Sequence, residues 1–194
     1  MIIPLVWIRI FLEDFMRKIL CLSLFALLMA GLGAAPLTVE QKALVDVQIK
    51  AFSDLETDPV VVKAVKAYIA NPPAELKGMT QDTWAKLSVL SPEIKSLTKN
   101  DLAVYLKTRK TPIVAELFVS APGGEKVAFF GKTTSWNHKG KPKHDVPMTG
   151  KTWIGESELD ESSGKTTVQF SIPVLEGGKA IGSIVIGLDM ALLK

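Results

Sequence analysis

The sequence predicts an α+β fold: a five-stranded antiparallel sheet with long N-terminal helices packed on one of its faces. Three observations predict it. Apolar residues recur at spacings of three and four from Thr38 to Arg109, the period of a helix. Past Thr111 the period falls to about two, the period of a strand. Short glycine-bearing turns then separate the alternating runs, which joins neighbouring strands in antiparallel order.

The 194 residues hold one domain plus a terminal appendage at the front. Met16-Arg17-Lys18 precedes "ILCLSLFALLMAGLGAA", an uncharged apolar run that ends in small residues before Pro36. A basic start, a short apolar stretch and a small-residue end read as a secretory signal peptide over residues 1–35. Glu13 and Asp14 fit that pattern poorly, so Met16 is the expected true start. Kept uncleaved, the same run would be a membrane anchor at the short edge of what spans about 30 Å of hydrocarbon. The small-residue end favours cleavage and a periplasmic location. The only cysteine, Cys21, lies in this segment, so neither a disulfide nor a thiol nucleophile is available beyond it. Its place so early in the apolar run does not suit a lipid-attachment site.

Residues 36–110 form the helical part. Thr38 can cap a first helix carrying Leu44, Val47, Ala51 and Leu55 inward. Asp58-Pro59 restarts the pattern as N-cap and first helical residue, with Val61, Val65, Tyr68 and Ile69 continuing the stripe. "NPPAELKG" breaks it. Thr80 or Asp82 opens a helix with Trp84, Leu87 and Leu90 inward, Trp84 as a core residue. Ser91-Pro92 opens another that carries Ile94, Leu97, Leu102 and Leu106 in one or two pieces.

Residues 111–194 form the sheet of the same domain. The expected strands are "PIVAELFVSA", "KVAFFGK", "TWIGESELDE", "TTVQFSIPVL" and "AIGSIVIGLDM", with one long connection between the second and third. Their faces are unequal. Val168, Phe170, Ile172 and Val174 point one way, Thr167, Gln169 and Ser171 the other. Ala180, Ile184, Ile186 and Leu188 likewise oppose Ile181, Ser183, Val185 and Asp189, while Glu116, Phe118 and Ser120 share a face. One face suits packing against helices. The other mixes small polar groups with aromatics, the composition of a pocket, and the long connection can fold over it.

The order of these elements resembles the PAS-like extracytoplasmic sensor domains of the Cache superfamily, especially the small stand-alone single-Cache proteins. The stretches that carry the resemblance are "DPVVVKAVKAYIA", a Trp84-centred helix, "AELFVSAPGGEKVAFFGKTTSW" and "IGESELDESSGKTTVQFSIPVLEGGKAIGSIVIGLD". They run from about Asp58 to Asp189. The resemblance implies a five-stranded sheet with helices on one face and a small-molecule ligand on the other, beneath the loop after the second strand. It also implies a sensory role. Relatives of this kind follow the Lys-Thr-Ser element with an aromatic and then acidic residues. Here Lys132-Thr133-Thr134-Ser135-Trp136 keeps the aromatic, but His138, Lys139, Lys141, Lys143 and His144 stand in the acidic part. A borrowed ligand identity therefore does not transfer.

The overall charge of +3 is no nucleic-acid footprint. The basic excess is local: Lys132, Lys139, Lys141, Lys143 and Lys151 are offset only by Asp145. His138 and His144 with Asp145 offer two imidazoles and one carboxylate among repelling lysines, short of a zinc ligand set, and solvated histidines are the plainer expectation. Ser135, His138 and Asp145 come without a nucleophile elbow or an oxyanion hole, and no phosphate-binding glycine loop is present. The expectation is therefore no enzyme, no cofactor and no resident metal. What remains is attraction of an anion, with Lys132 and Trp136 at the loop's start as better contacts than the later lysines. The expected lining is Glu116, Phe118, Phe130, Lys132, Trp136, His138, Gln169 and Ser171. The expected ligand is a small anionic metabolite such as a carboxylate, and the expected output passes through a membrane-bound signalling partner. The alternatives are an interaction module whose sheet face docks a protein with no small ligand, and a metal-responsive sensor.

Overall fold

A computed structural model describes residues 34–160 and 164–193. The expected signal segment and the tip of the "ELDESSG" hairpin fall outside them, apart from Ala34 and Ala35. Residues 35–194 form one compact unit. No helix among the described residues is long and apolar enough to cross a membrane.

The helices are α1 (Val39–Phe52), α2 (Pro59–Ala70), α3 (Gln81–Lys86), α4 (Pro92–Thr98), α5 (Asp101–Lys107) and α6 (Pro142–Asp145). The strands are β1 (Val114–Ser120), β2 (Lys126–Phe129), β3 (Trp153–Asp160), β4 (Lys165–Glu176) and β5 (Lys179–Asp189). The cap residues explain where the helices begin. Thr38 and Gln41 form a reciprocal capping box on α1. Asp58 accepts from the Val60 and Val61 amides with Pro59 in the first turn of α2, and also accepts the Tyr105 hydroxyl at 2.5 Å. The α4–α5 run breaks at Asn100, whose amide oxygen caps α5 and whose Nδ2 donates to the Val127 carbonyl on β2 at 2.9 Å.

All strand pairings are antiparallel, and the sheet order is β2-β1-β5-β4-β3. The β4–β5 connection turns on Gly177 and Gly178, both at positive φ, as a two-residue hairpin turn requires. Ala35 exchanges two backbone hydrogen bonds with Ser157 on the edge strand β3.

The main core lies between α1, α2, α5 and one sheet face, where Val45, Phe52, Val61 and Val65 meet Leu117, Phe170, Ile172 and Ile186. The alternation read from the sequence holds on β4 and from Ile184 onward on β5, but Ile181, expected on the other face, packs against this core next to a register shift between Val174 and Leu175. Of the inward stripe expected on α1, Leu44 and Leu55 reach the core, but Val47 and Ala51 are exposed and their neighbours take the inward places. Val45 and Phe52 are buried while Val47 is 60% exposed. The chain tightens to a 3₁₀ turn at Ser53–Glu56, so a helical phase drawn back from Leu55 lands one position off. Leu90 is 69% exposed, because α3 ends at Lys86 and Leu90 sits in the turn beyond it. Ile69 is also exposed near the end of α2.

A second, smaller core sits on the opposite face. Trp84 from α3 and Ile94 and Leu97 from α4 pack there with Phe118, Phe129, Trp136 and Val185. Trp84 is core, as its sequence context predicts, but in this second cluster. The α+β architecture is the expected one, a PAS-like sheet with its long helices on one face, and short elements close over the other.

Candidate ligand-binding site

The 131–150 connection folds down over the second face. Trp84 Nε1 donates to the Thr133 carbonyl at 2.7 Å, Gln81 Nε2 donates to the Thr134 carbonyl, and the Trp136 amide donates to Gln81 Oε1. Asn137 then pairs with Glu125 in a β-bridge, and α6 lies against the sheet. This folding overturns the expectation of solvated histidines: His138 is 3% and His144 1% exposed. The loop is not a solvated strap. Its short helix and turns carry both imidazoles onto the sheet.

Each imidazole finds a partner there. His144 Nε2 donates to the Pro122 carbonyl at 3.2 Å, which leaves Nδ1 to accept from the Ser183 hydroxyl at 2.8 Å. Burial pushes His144 below the ordinary histidine range, against the opposing pull of the Pro122 carbonyl and Asp145. His138 Nδ1 lies 2.6 Å from Lys126 Nζ, and its ring stacks on Phe118 at 4.8 Å between centroids. Burial and then the neighbouring charge of Lys126 push His138 far below its ordinary value.

Lys126 is the residue that sequence reasoning missed. Alternation from Phe129 would turn Lys126 away from this face. A bulge between Val119 and Ser120 and their partners shifts the β1–β2 register, so that Lys126 pairs with Ser120 while Val127 and Ala128 both face the helices. Lys126 is 0% exposed, with its Nζ 3.2 Å from the Phe118 ring centroid. Among the described residues it forms no ion pair. Burial holds its ammonium well below the usual lysine range, with Glu116 acting in the opposite direction. The hydroxyls of Ser120 and Ser171 on the same face are buried and unpartnered among the described residues.

Of the eight expected lining residues, Glu116, Phe118, Gln169 and Ser171 share this face through the β1–β5–β4 register, and Trp136 and His138 reach it from the loop. Two do not join them. Phe130 packs against the helix-side core beneath Lys110, because Phe129 takes the loop-side position. Lys132 extends along the outside of α3, with Nζ 3.5 Å from the Ala85 carbonyl and 5.7 Å from the Trp84 ring. Its place is taken by Lys143, which donates to Gln169 Oε1 at 2.8 Å, while Gln169 Nε2 donates to Glu116. This chain crosses the sheet over Gly187. A methyl group there would sit 2.7 Å from Glu116 Cγ. Gly187→Ala is therefore expected to displace Glu116, release Gln169 and Lys143, and cost about 1–3 kcal/mol in chemical denaturation. Unchanged stability would mean that Glu116 crosses the sheet by another path.

Beside this chain, between the loop and β3, opens a cleft of about 270 Å³ lined by Thr134, Lys143, Trp153, Gly155, Thr167 and Gln169 among others. The half-buried indole of Trp153 lies over Gly155 and walls it. No group of three or more His, Cys, Asp or Glu side chains among the described residues is placed to hold a metal.

Fold and site together define the class: a PAS-like α+β domain whose second sheet face is covered by a basic loop and carries buried polar groups. No protein-family model matches the chain, and no curated protein does. Among solved structures, the chain is similar to the ligand-binding domain of the Campylobacter jejuni chemoreceptor Tlp3 in complex with 4-methylisoleucine, at 14% identity and a TM-score of 0.44, covering 80% of this chain and 56% of that one. It is similar to the sensor domain of the V. cholerae histidine kinase DctB, at 16% identity and a TM-score of 0.38, covering 80% and 59%. It is also similar to the ligand-binding domain of the Pseudomonas fluorescens chemoreceptor CtaA in complex with L-serine, at 11% and 0.42, covering 80% and 56%. The chain thus spans somewhat over half the length of these domains.

Proposed function

We propose that this chain is a periplasmic, non-enzymatic sensory module that binds a small anionic metabolite under the 131–150 loop and signals through a membrane-bound partner. The observation that carries the reading is Lys126, a buried amine with no carboxylate bound to it among the described residues, on the same sheet face as the unpartnered hydroxyls of Ser120 and Ser171. Buried polar groups left in this state cost stability, and a ligand that completes them recovers it. Lys141 and Lys143 add positive charge around the same face, as their effect on Lys126 and His138 records. An anionic ligand entering by the cleft meets Lys143 first and lays its apolar part on Trp153. Loop 131–150 is the part a ligand would shift, since its ties to the sheet run through the same side chains.

A thermal-unfolding screen of the purified protein against small carboxylates and amino acids tests this. A ligand at a hundred times its Kd is expected to add about 2.7 kcal/mol and raise the transition by about 5–10 °C. Lys143→Ala is expected to abolish that rise. If no carboxylate or amino acid moves the transition, the reading fails, and a protein-docking module without a small ligand takes its place.

A further inference from the structure

A separate groove borders the loop-covered face at the start of the loop and shares no lining residue with the cleft beside β3. It has a volume of about 770 Å³ and runs between the end of α2 with the residues after it, the β1–β2 turn and Trp136-Asn137. That volume is in the range of small-molecule sites.

The chemistry of its walls is selective. Tyr68, Leu76, Met79 and Trp136 provide apolar and aromatic surface. Two of its polar side chains are already committed. Gln81 is held by Thr134 and Trp136, and Asn137 donates to the Gly123 carbonyl while accepting from the Lys139 amide. Glu125 is different. It is half-buried, lines the groove, and among the described residues its carboxylate makes neither a hydrogen bond nor an ion pair. The carboxylate lies back against Gly123, where a methyl group would stand 2.6 Å from Glu125 Oε1, so the turn leaves it room. The groove thus presents one unpaired negative charge among aromatic walls. A single carboxylate is too few ligands for a metal ion, and it repels anions. An ammonium group suits both the charge and the π faces.

We propose that this groove binds a monovalent organic cation, with Glu125 meeting the charge and Trp136, Tyr68 and Met79 covering the organic part. The surrounding charges agree with that arrangement. The Tyr68 hydroxyl is pushed up to about 12, by burial and by the facing charge of Glu125, so it stays protonated. Glu125 also acts on His144, which Ser183 and Pro122 hold on the other side of the turn. Lys77 is the one cationic side chain of the lining, and it is exposed. An occupant touching Trp136 and Asn137 braces the start of the loop that covers the other site.

Isothermal titration of the full chain with phenethylammonium, and with 2-phenylethanol as its uncharged counterpart, tests the assignment. The ammonium is expected to bind at least about tenfold tighter than the alcohol, and Glu125→Gln is expected to remove that preference. Lys143→Ala, in the other cleft, is expected to leave both affinities unchanged. Equal binding of ammonium and alcohol, an ammonium affinity indifferent to Glu125→Gln, or no ammonium binding at all overturns the proposal. A loss of ammonium binding in Lys143→Ala assigns the ammonium to the cleft beside β3 and overturns it as well. Failure here leaves the anion reading intact, because that reading depends on carboxylates, Lys126 and Lys143.

Discussion

Replacing Lys126 with methionine is expected to stabilise the ligand-free protein by about 2 kcal/mol, a rise of about 5 °C in the unfolding transition, while abolishing anion binding. Methionine keeps the length and most of the volume of the side chain and can still pack on Phe118. What it removes is an amine buried at 0% exposure that forms no ion pair among the described residues. Burying such a group costs free energy, which is why its ammonium is held well below the usual lysine range. A residue that weakens the fold and supports binding is a functional residue. Denaturant titration and calorimetry on the same variant separate the two effects. A variant less stable than the parent would show instead that the 2.6 Å contact with His138 is what holds the loop down, and Lys126 would then be structural.

Acid is expected to destabilise the protein steeply below about pH 6.5. His138 and His144 are both held below their ordinary value in the folded state, chiefly by burial. The unfolded chain therefore takes up protons first as pH falls through about 6.5, the ordinary histidine value. Stability is fully present above that pH and is lost progressively below it, until the folded-state values are reached. For His138 alone the loss is about 1.4 kcal/mol at pH 5.5. Protonation of His138 would also set a second positive charge 2.6 Å from Lys126, with Lys141 and Lys143 nearby. The loop should open before the main core does. Hydrogen exchange at pH 5.5 is expected to show lost protection at the His138 and His144 amides, which bond the Gly124 and Lys141 carbonyls, while β4 and β5 stay protected. His138→Gln is expected to flatten the pH dependence between 7 and 5.5. An unchanged slope in that variant would place the acid sensitivity elsewhere.

The two variants act on one feature, a polar layer between the sheet and its covering loop, and they bear on different readings of it. The methionine variant asks whether the layer serves a ligand. The acid series asks whether it fastens the loop.

Much of the fold was legible because local chemistry writes it plainly. Thr38, Asp58, Thr80 and Asn100 cap helices through hydrogen bonds to the next few residues, which need no tertiary partner. The alternation of Val168, Phe170, Ile172 and Val174 against Gln169 and Ser171 follows from the two-residue repeat of a strand, and Gly177-Gly178 follows from turn geometry. Period, caps and turns therefore determined the α+β class, the five strands and the face that meets the long helices. They also put Glu116, Phe118, Gln169 and Ser171 on a common side.

Tertiary structure alone decided the chemistry of that side. A bulge cannot be read from "KVAFF", yet it turns Lys126 inward and leaves Phe130 among the helix-side residues. The basic loop looks soluble because its composition is soluble. Its histidines are buried because Trp84 and Gln81, about fifty positions upstream, hold its first turn against the sheet. Lys132 was the natural choice beside Trp136, but the loop's path sends it outward and brings Lys143 to Gln169. Sequence determines what each short segment prefers. Which cation lies buried, and beside what, depends on contacts between segments far apart in the chain, and those appear only when the chain is folded.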